Sequence, residues 1–120
     1  MKQNLHPILS IRVYNDEKCF GPGIAELLEG VEARRSLRAA AQGMHMAYSK
    51  AWTTVRSCEA ALGFQLLVYT TGGRNGGGAS LTPRARALLD AYRAYCQALR
   101  EQADRLFQAH FAPFLPEDTP

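Results

Sequence analysis

Residues 36–63 read SLRAAAQGMHMAYSKAWTTVRSCEAALG, and two helices of different character follow from them. Ser36 is a strong helix N-cap. Leu37, Ala40, Ala41 and Met44 repeat at i, i+3, i+4 and i+7, one apolar stripe. Ala39, Ala40 and Ala41 leave so little bulk that another helix can cross closely. Gly43 then allows a sharp turn. In the second helix Tyr48, Ala51, Trp52, Val55, Cys58 and Leu62 form the expected inward face, and Gly63 is a natural stop. The opposite face carries Ser49, Lys50, Thr53, Thr54, Arg56 and Ser57, with no acid until Glu59.

The flanks extend this pair. In ILSIRVYNDEKCF, residues 8–20, Leu9, Ile11 and Val13 alternate with Ser10 and Arg12. That is strand periodicity with one buried face, with Asn15 and Asp16 as a turn and a short return over 18–20. Ile24, Leu27, Leu28 and Val31 predict an earlier helix, with Glu26 in its first turn and Arg34 and Arg35 in its last. Downstream, FQLLVY predicts a strand over 66–70 and ASL its partner over 79–81. Thr82 and Pro83 then start a last helix that runs to about His110.

Between those strands lies a glycine-rich loop whose only substantial side chains are Arg74 and Asn75. It is not a nucleotide phosphate loop. Gly72 and Gly77 have the spacing, but Gly78 and Ala79 follow where lysine and a hydroxyl residue are needed. A dinucleotide fingerprint also lacks its third glycine and its parallel-strand unit. What remains is a thin ribbon, either without a ligand or lying along a nucleic acid backbone or in a minor groove.

Composition bounds the rest. The 120 residues fit one domain with room for an appended helix, and 47% are hydrophobic. No signal pattern or membrane-length apolar run appears, so the chain is expected to be cytoplasmic, with no membrane partner. Cys19, Cys58 and Cys96 lack zinc spacing and read as core filling. His6, His45 and His110 stand apart, so no metal, cofactor or catalytic role is assigned. No nucleophile–base or paired-carboxylate set argues for an enzyme. The net charge of +3 is uneven: the segment 34–93 holds nine basic residues against Glu59 and Asp90. This bias is either a solvated face or the mark of a polyanionic partner.

A helix–turn–helix followed by a basic-tipped hairpin is the economical assembly: mainly α with small β, a winged helix–turn–helix. The pieces SLRAAA, M-x-M-x-YSKAW, LGF and GG-x-x-GGGA-x-LT, preceded by FGPGIAELLEG, resemble the N-terminal DNA-binding domain of the molybdate-dependent transcriptional regulators, the ModE family. That domain is related to the LysR-type winged helix–turn–helix. The resemblance covers roughly residues 5 to 95. It implies a homodimeric, sequence-specific regulator of double-stranded DNA, with an N-terminal strand and a long C-terminal dimerisation helix. Carried over to these positions, Tyr48, Ser49, Lys50 and Thr53 face DNA, with Arg74 and Asn75 in the wing and Trp52 in the core. With the neighbouring polar positions, the expected DNA-binding set is Ser36, Arg38, Tyr48, Ser49, Lys50, Thr53, Thr54, Arg56, Ser57, Arg74 and Asn75. Ala47 stands where the family often has serine, and Arg35 where glycine often ends the first helix. The oxyanion-binding domains of molybdate-sensing members would lie beyond residue 120, so no residue here is assigned to molybdate.

Ala85, Leu89, Tyr92, Cys96, Leu99, Ala103, Leu106 and His110 alternate in steps of four and three, a heptad seam. At roughly 1.5 Å per residue the helix is on the order of 40 Å long, more than a small core covers. The expected dimer seam is Leu89, Tyr92, Cys96, Leu99, Ala103 and Leu106. The expected organisation is a DNA-binding domain over 1–81, a dimerisation helix over 82–112 and a flexible tail over 113–120. An alternative is an interaction module that pairs with full-length regulators through this helix.

Overall fold

The computed structural model describes residues 4–71 and 77–116. Two compact units emerge from the chain path. The larger spans residues 10–91 and holds all four strands and the first three helices.

Its first element is an antiparallel hairpin of β1 (Val13–Asn15) and β2 (Glu17–Phe20), with Asp16 at the turn in the left-handed region at φ 60°. Cys19 and Phe20 are buried, whereas Val13 and Tyr14 are exposed. The expected strand through Leu9, Ile11 and Val13 is therefore not formed as such: β1 begins only at Val13, and its three residues are all exposed. Alternation marks a strand only where a partner exists, and β2 is four residues long.

Helix α1 (Pro22–Arg34) begins on proline and buries Ile24, Leu27, Leu28 and Val31, as the stripe requires. Glu26 lies beyond the first turn, which holds no acid. The helix ends at Arg35, whose φ of 58° is left-handed and whose N–H donates to the Val31 carbonyl. This is the conformation that usually selects glycine. Helix α2 (Leu37–Gly43) opens on Ser36, whose Oγ accepts from the Ala39 N–H at 3.0 Å. Its alanine face meets α1 closely: a Cβ added to Gly30 would stand 2.8 Å from the Ala40 Cβ.

The turn into α3 (Tyr48–Leu62) places His45, not Gly43, in the left-handed region, at φ 56°. Gly43 has a different use, since the Arg34 guanidinium packs over it, 2.9 Å from where a Cβ would stand. Ala51, Val55 and Cys58 are the buried edge of α3, and Gly63 ends it at φ 85°. Glu59 Oε2 then accepts from the N–H groups of Leu66 (2.8 Å) and Leu67 (3.4 Å). That carboxylate fixes the start of β3 (Leu67–Thr70), which pairs antiparallel with β4 (Gly78–Leu81) in the register Leu67↔Leu81 to Thr70↔Gly78. Leu66, Leu67 and Ala79 are buried, and the Ala79 N–H donates to the Arg35 carbonyl at 3.0 Å. The result is a winged helix–turn–helix, with α1 packed on α2 and β4, and α3 on α2 and β2.

Helix α4 (Pro83–Phe111) begins at Thr82, whose Oγ1 accepts from the Ala85 N–H and donates to the Gln65 carbonyl. Ala85 and Leu89 are buried within the larger unit. The smaller unit comprises residues 4–9 with 92–116. There Tyr92 and Cys96 are buried, Leu99 and Ala103 are half-buried, and Leu106 is exposed. Phe107 stacks on Phe111, and Phe111 meets Phe114 edge-on from a single 3-10 turn over Ala112–Phe114.

Candidate nucleic-acid interface

The outward face of α3 is built by subtraction. Once Ala51, Val55 and Cys58 are committed to the interior, the 3.6-residue period turns Ser49, Lys50, Thr53, Arg56 and Ser57 to solvent, and all five are exposed. Short hydroxyls and two cations on a rod suit a major groove, since an acid there would meet the phosphates. The one acid on α3, Glu59, is turned to the Leu66 and Leu67 amides and lies 3.7 Å from Arg56. Ala47 makes no side-chain cap, so no protein hydroxyl covers the first turn of α3.

Trp52 departs from expectation. It is 44% exposed and not core, with the Arg56 guanidinium 5.3 Å from its ring centre. Its angular position lies between the buried edge and the outward face, and Arg56, one turn on, supplies a cation for the ring. Thr54 is half-buried on the edge that faces β2. Tyr48 is also half-buried, with Arg38 stacked over its ring at 4.2 Å.

Between the starts of α2 and α3 and the second hairpin lies a cleft of about 270 Å³, with Ser36, Arg38, Tyr48, Tyr69 and Thr70 in its walls. Five of the expected positions thus fall into two groups: Ser36, Arg38 and Tyr48 share the cleft, and Lys50 and Thr54 lie on the opposite edge of α3. Ser36 is half-buried, and its hydroxyl already caps α2. Arg74 and Asn75 lie outside the described residues. Beside them, Gly77 is pressed against the Thr70 carbonyl so closely that a Cβ would collide with it. This narrow ribbon therefore requires glycine there.

Tyr69 was not singled out by its sequence context. It stands on β3, 40% exposed, at the cleft. Burial pushes its hydroxyl pKa up, Tyr48 and Glu59 push the same way, and Arg56 pulls it down. The group is thus a protonated hydrogen-bond donor in the neutral range. The available signal was an aromatic residue next to a glycine loop, which strand propensity explains equally well.

Among the described residues no cluster of three histidine, cysteine or acidic side chains is placed to hold a metal, and no helix is long and apolar enough to cross a membrane. The chain is similar to the "Molybdenum transport protein ModE" of Azotobacter vinelandii, with 34% identity over 84 residues, 67% of this chain and 31% of that protein. It therefore spans about a third of that relative's length. Residues 25–86, just over half of the chain, match the family described as "Bacterial regulatory helix-turn-helix protein, lysR family". The matched stretch takes in α2 and α3, and the chain belongs to this LysR family of bacterial helix–turn–helix regulatory proteins.

Proposed function

We propose that the protein is a sequence-specific regulator of transcription that binds double-stranded DNA as a homodimer in the cytoplasm, without catalytic activity of its own. The observation that carries this reading is the outward face of α3, on which hydroxyls and cations are exposed while the single acid is held by main-chain amides. In this reading Ser49 and Thr53 meet base edges. Lys50, Arg38 and Arg56 meet phosphates, and Arg74 with Asn75 supplies the wing contact. Trp52 and Tyr69 join the surface, since both present exposed ring area beside cations.

The dimer contact is narrower than the full heptad seam. Leu89, Tyr92 and Cys96 are already covered within one chain, which leaves Leu99, Ala103 and Leu106 for a second copy. Selection from a random duplex library, followed by footprinting, tests the reading. Two protected half-sites about one helical turn apart are expected, with affinity falling steeply as salt rises. No change is expected on adding molybdate. A chain that retains no duplex at ~50 mM salt, or that binds independently of salt, contradicts the DNA-binding assignment. A monomer at micromolar concentration by sedimentation contradicts the dimer.

A further inference from the structure

Helix α3 has two edges, and only one of them faces the second hairpin. Along the other, Lys50, Thr54 and Cys58 follow one another at turn spacing. Together with Lys18 and Phe20 of β2 they line a cleft of about 240 Å³. Lys18 and Lys50 are both exposed, and among the described residues neither is engaged by a carboxylate. Burial pushes the Cys58 thiol up, and the Lys18 ammonium pulls it back, which is consistent with that charge lying at the cleft.

The hairpin is fixed in this position. The Asn15 side-chain amide donates to the Ala61 carbonyl at 3.2 Å, and Cys19 and Phe20 are buried. Its acids do not share the lysine's place: Glu17 precedes Lys18 on β2 and so points to the other face, and Asp16 occupies the turn. The family match begins at residue 25, after the hairpin, so this arm precedes the matched helix–turn–helix stretch. Two exposed ammonium groups lining one small cleft make it electropositive and favour an anion there.

We propose that the β1–β2 hairpin is a second DNA-contacting arm, in which Lys18, together with Lys50, holds a backbone phosphate of the duplex on the edge of α3 away from β3–β4. The inference rests on the DNA-binding reading above. It gives the recognition helix a flanking contact on each side and positions the helix without adding base information.

The test compares the full chain with its Lys18→Ala and Lys18→Arg variants on a selected duplex, by fluorescence anisotropy over a salt series and by phosphate-ethylation interference. Lys18 is exposed, so thermal melts of all three should coincide. Lys18→Ala is expected to bind about fivefold more weakly, with the salt slope reduced by about 0.9. Lys18→Arg should retain most of the affinity. Ethylation at one outer phosphate should hinder the unaltered chain and cease to hinder Lys18→Ala. Should Lys18→Ala match the unaltered chain in affinity, slope and interference pattern, the second arm is refuted while the DNA-binding reading stands. Should the unaltered chain bind no duplex at all, both fall.

Discussion

Helices α2 and α3 adjoin in the chain and use their surfaces in opposite ways. The seven residues of α2 bury Leu37, Ala40 and Ala41, accept their cap from Ser36, and lie close enough to α1 to exclude a side chain at Gly30. The fifteen residues of α3 bury one edge, carry no side-chain cap, and leave hydroxyls, two cations and an indole in solvent. In α2 the buried Leu37, Ala40 and Ala41 answer to steric fit, and Arg38 turns to the cleft beside Tyr48. In α3 the inner edge answers to fit, and the outer face is free to answer to a ligand. Substitutions on the buried face of α2 and its contacts should therefore register in stability, and those on the outer face of α3 in binding.

Gly30→Val is the most severe challenge to this contrast. The new branches would drive into Ala40, and overpacking of this kind costs about 3 kcal/mol. A thermal melt should show a large fall, and an unchanged melting temperature would mean that the α1–α2 crossing is loose. Next is Lys50→Ala, on the exposed face. Duplex affinity should fall about tenfold, on the order of 1.4 kcal/mol, while the melt stays put. Ser36→Ala removes the cap of α2, and denaturant unfolding should register a loss of about 1 kcal/mol. Trp52→Ala separates a core from a surface role: a core tryptophan would cost about 3–5 kcal/mol, whereas this partly exposed ring should cost under ~1 kcal/mol and weaken DNA binding. The smallest effect should be a gain. Arg35→Gly relieves the left-handed backbone and should raise stability by about 0.5–1 kcal/mol, read from the denaturation midpoint.

Features governed by neighbours in the chain could be read from residue order. The stripe of α1, the Ser36 cap, the Gly63 stop and the Thr82–Pro83 start each depend on a few adjacent residues, and each is present. Features that depend on what lies across space were harder to read. A seven-residue period shows that a face of α4 is apolar, but the same period is produced whether its own chain or a second copy covers Leu89. Trp52 sits at a spacing that satisfies an apolar stripe, yet its helix edge is wide enough to leave it in solvent. The part expected of Gly43 falls to His45, because the residue that turns left-handed is set by how α3 must meet α2, not by the nearest glycine. Lys18, two residues before a buried phenylalanine, gave no sign of the cleft it shares with Lys50.

The Thr82 hydroxyl gives with its proton and receives with its lone pair at the same time, to Gln65 and from Ala85. Aspartate, ordinarily among the best residues at a helix start, can do only the second, and its charge would sit against a carbonyl. A routine stabilising exchange would here break the side-chain tie to Gln65 and leave only the bond from the Thr82 N–H to the Leu66 carbonyl. Serine is the one simple replacement whose chemistry preserves both attachments.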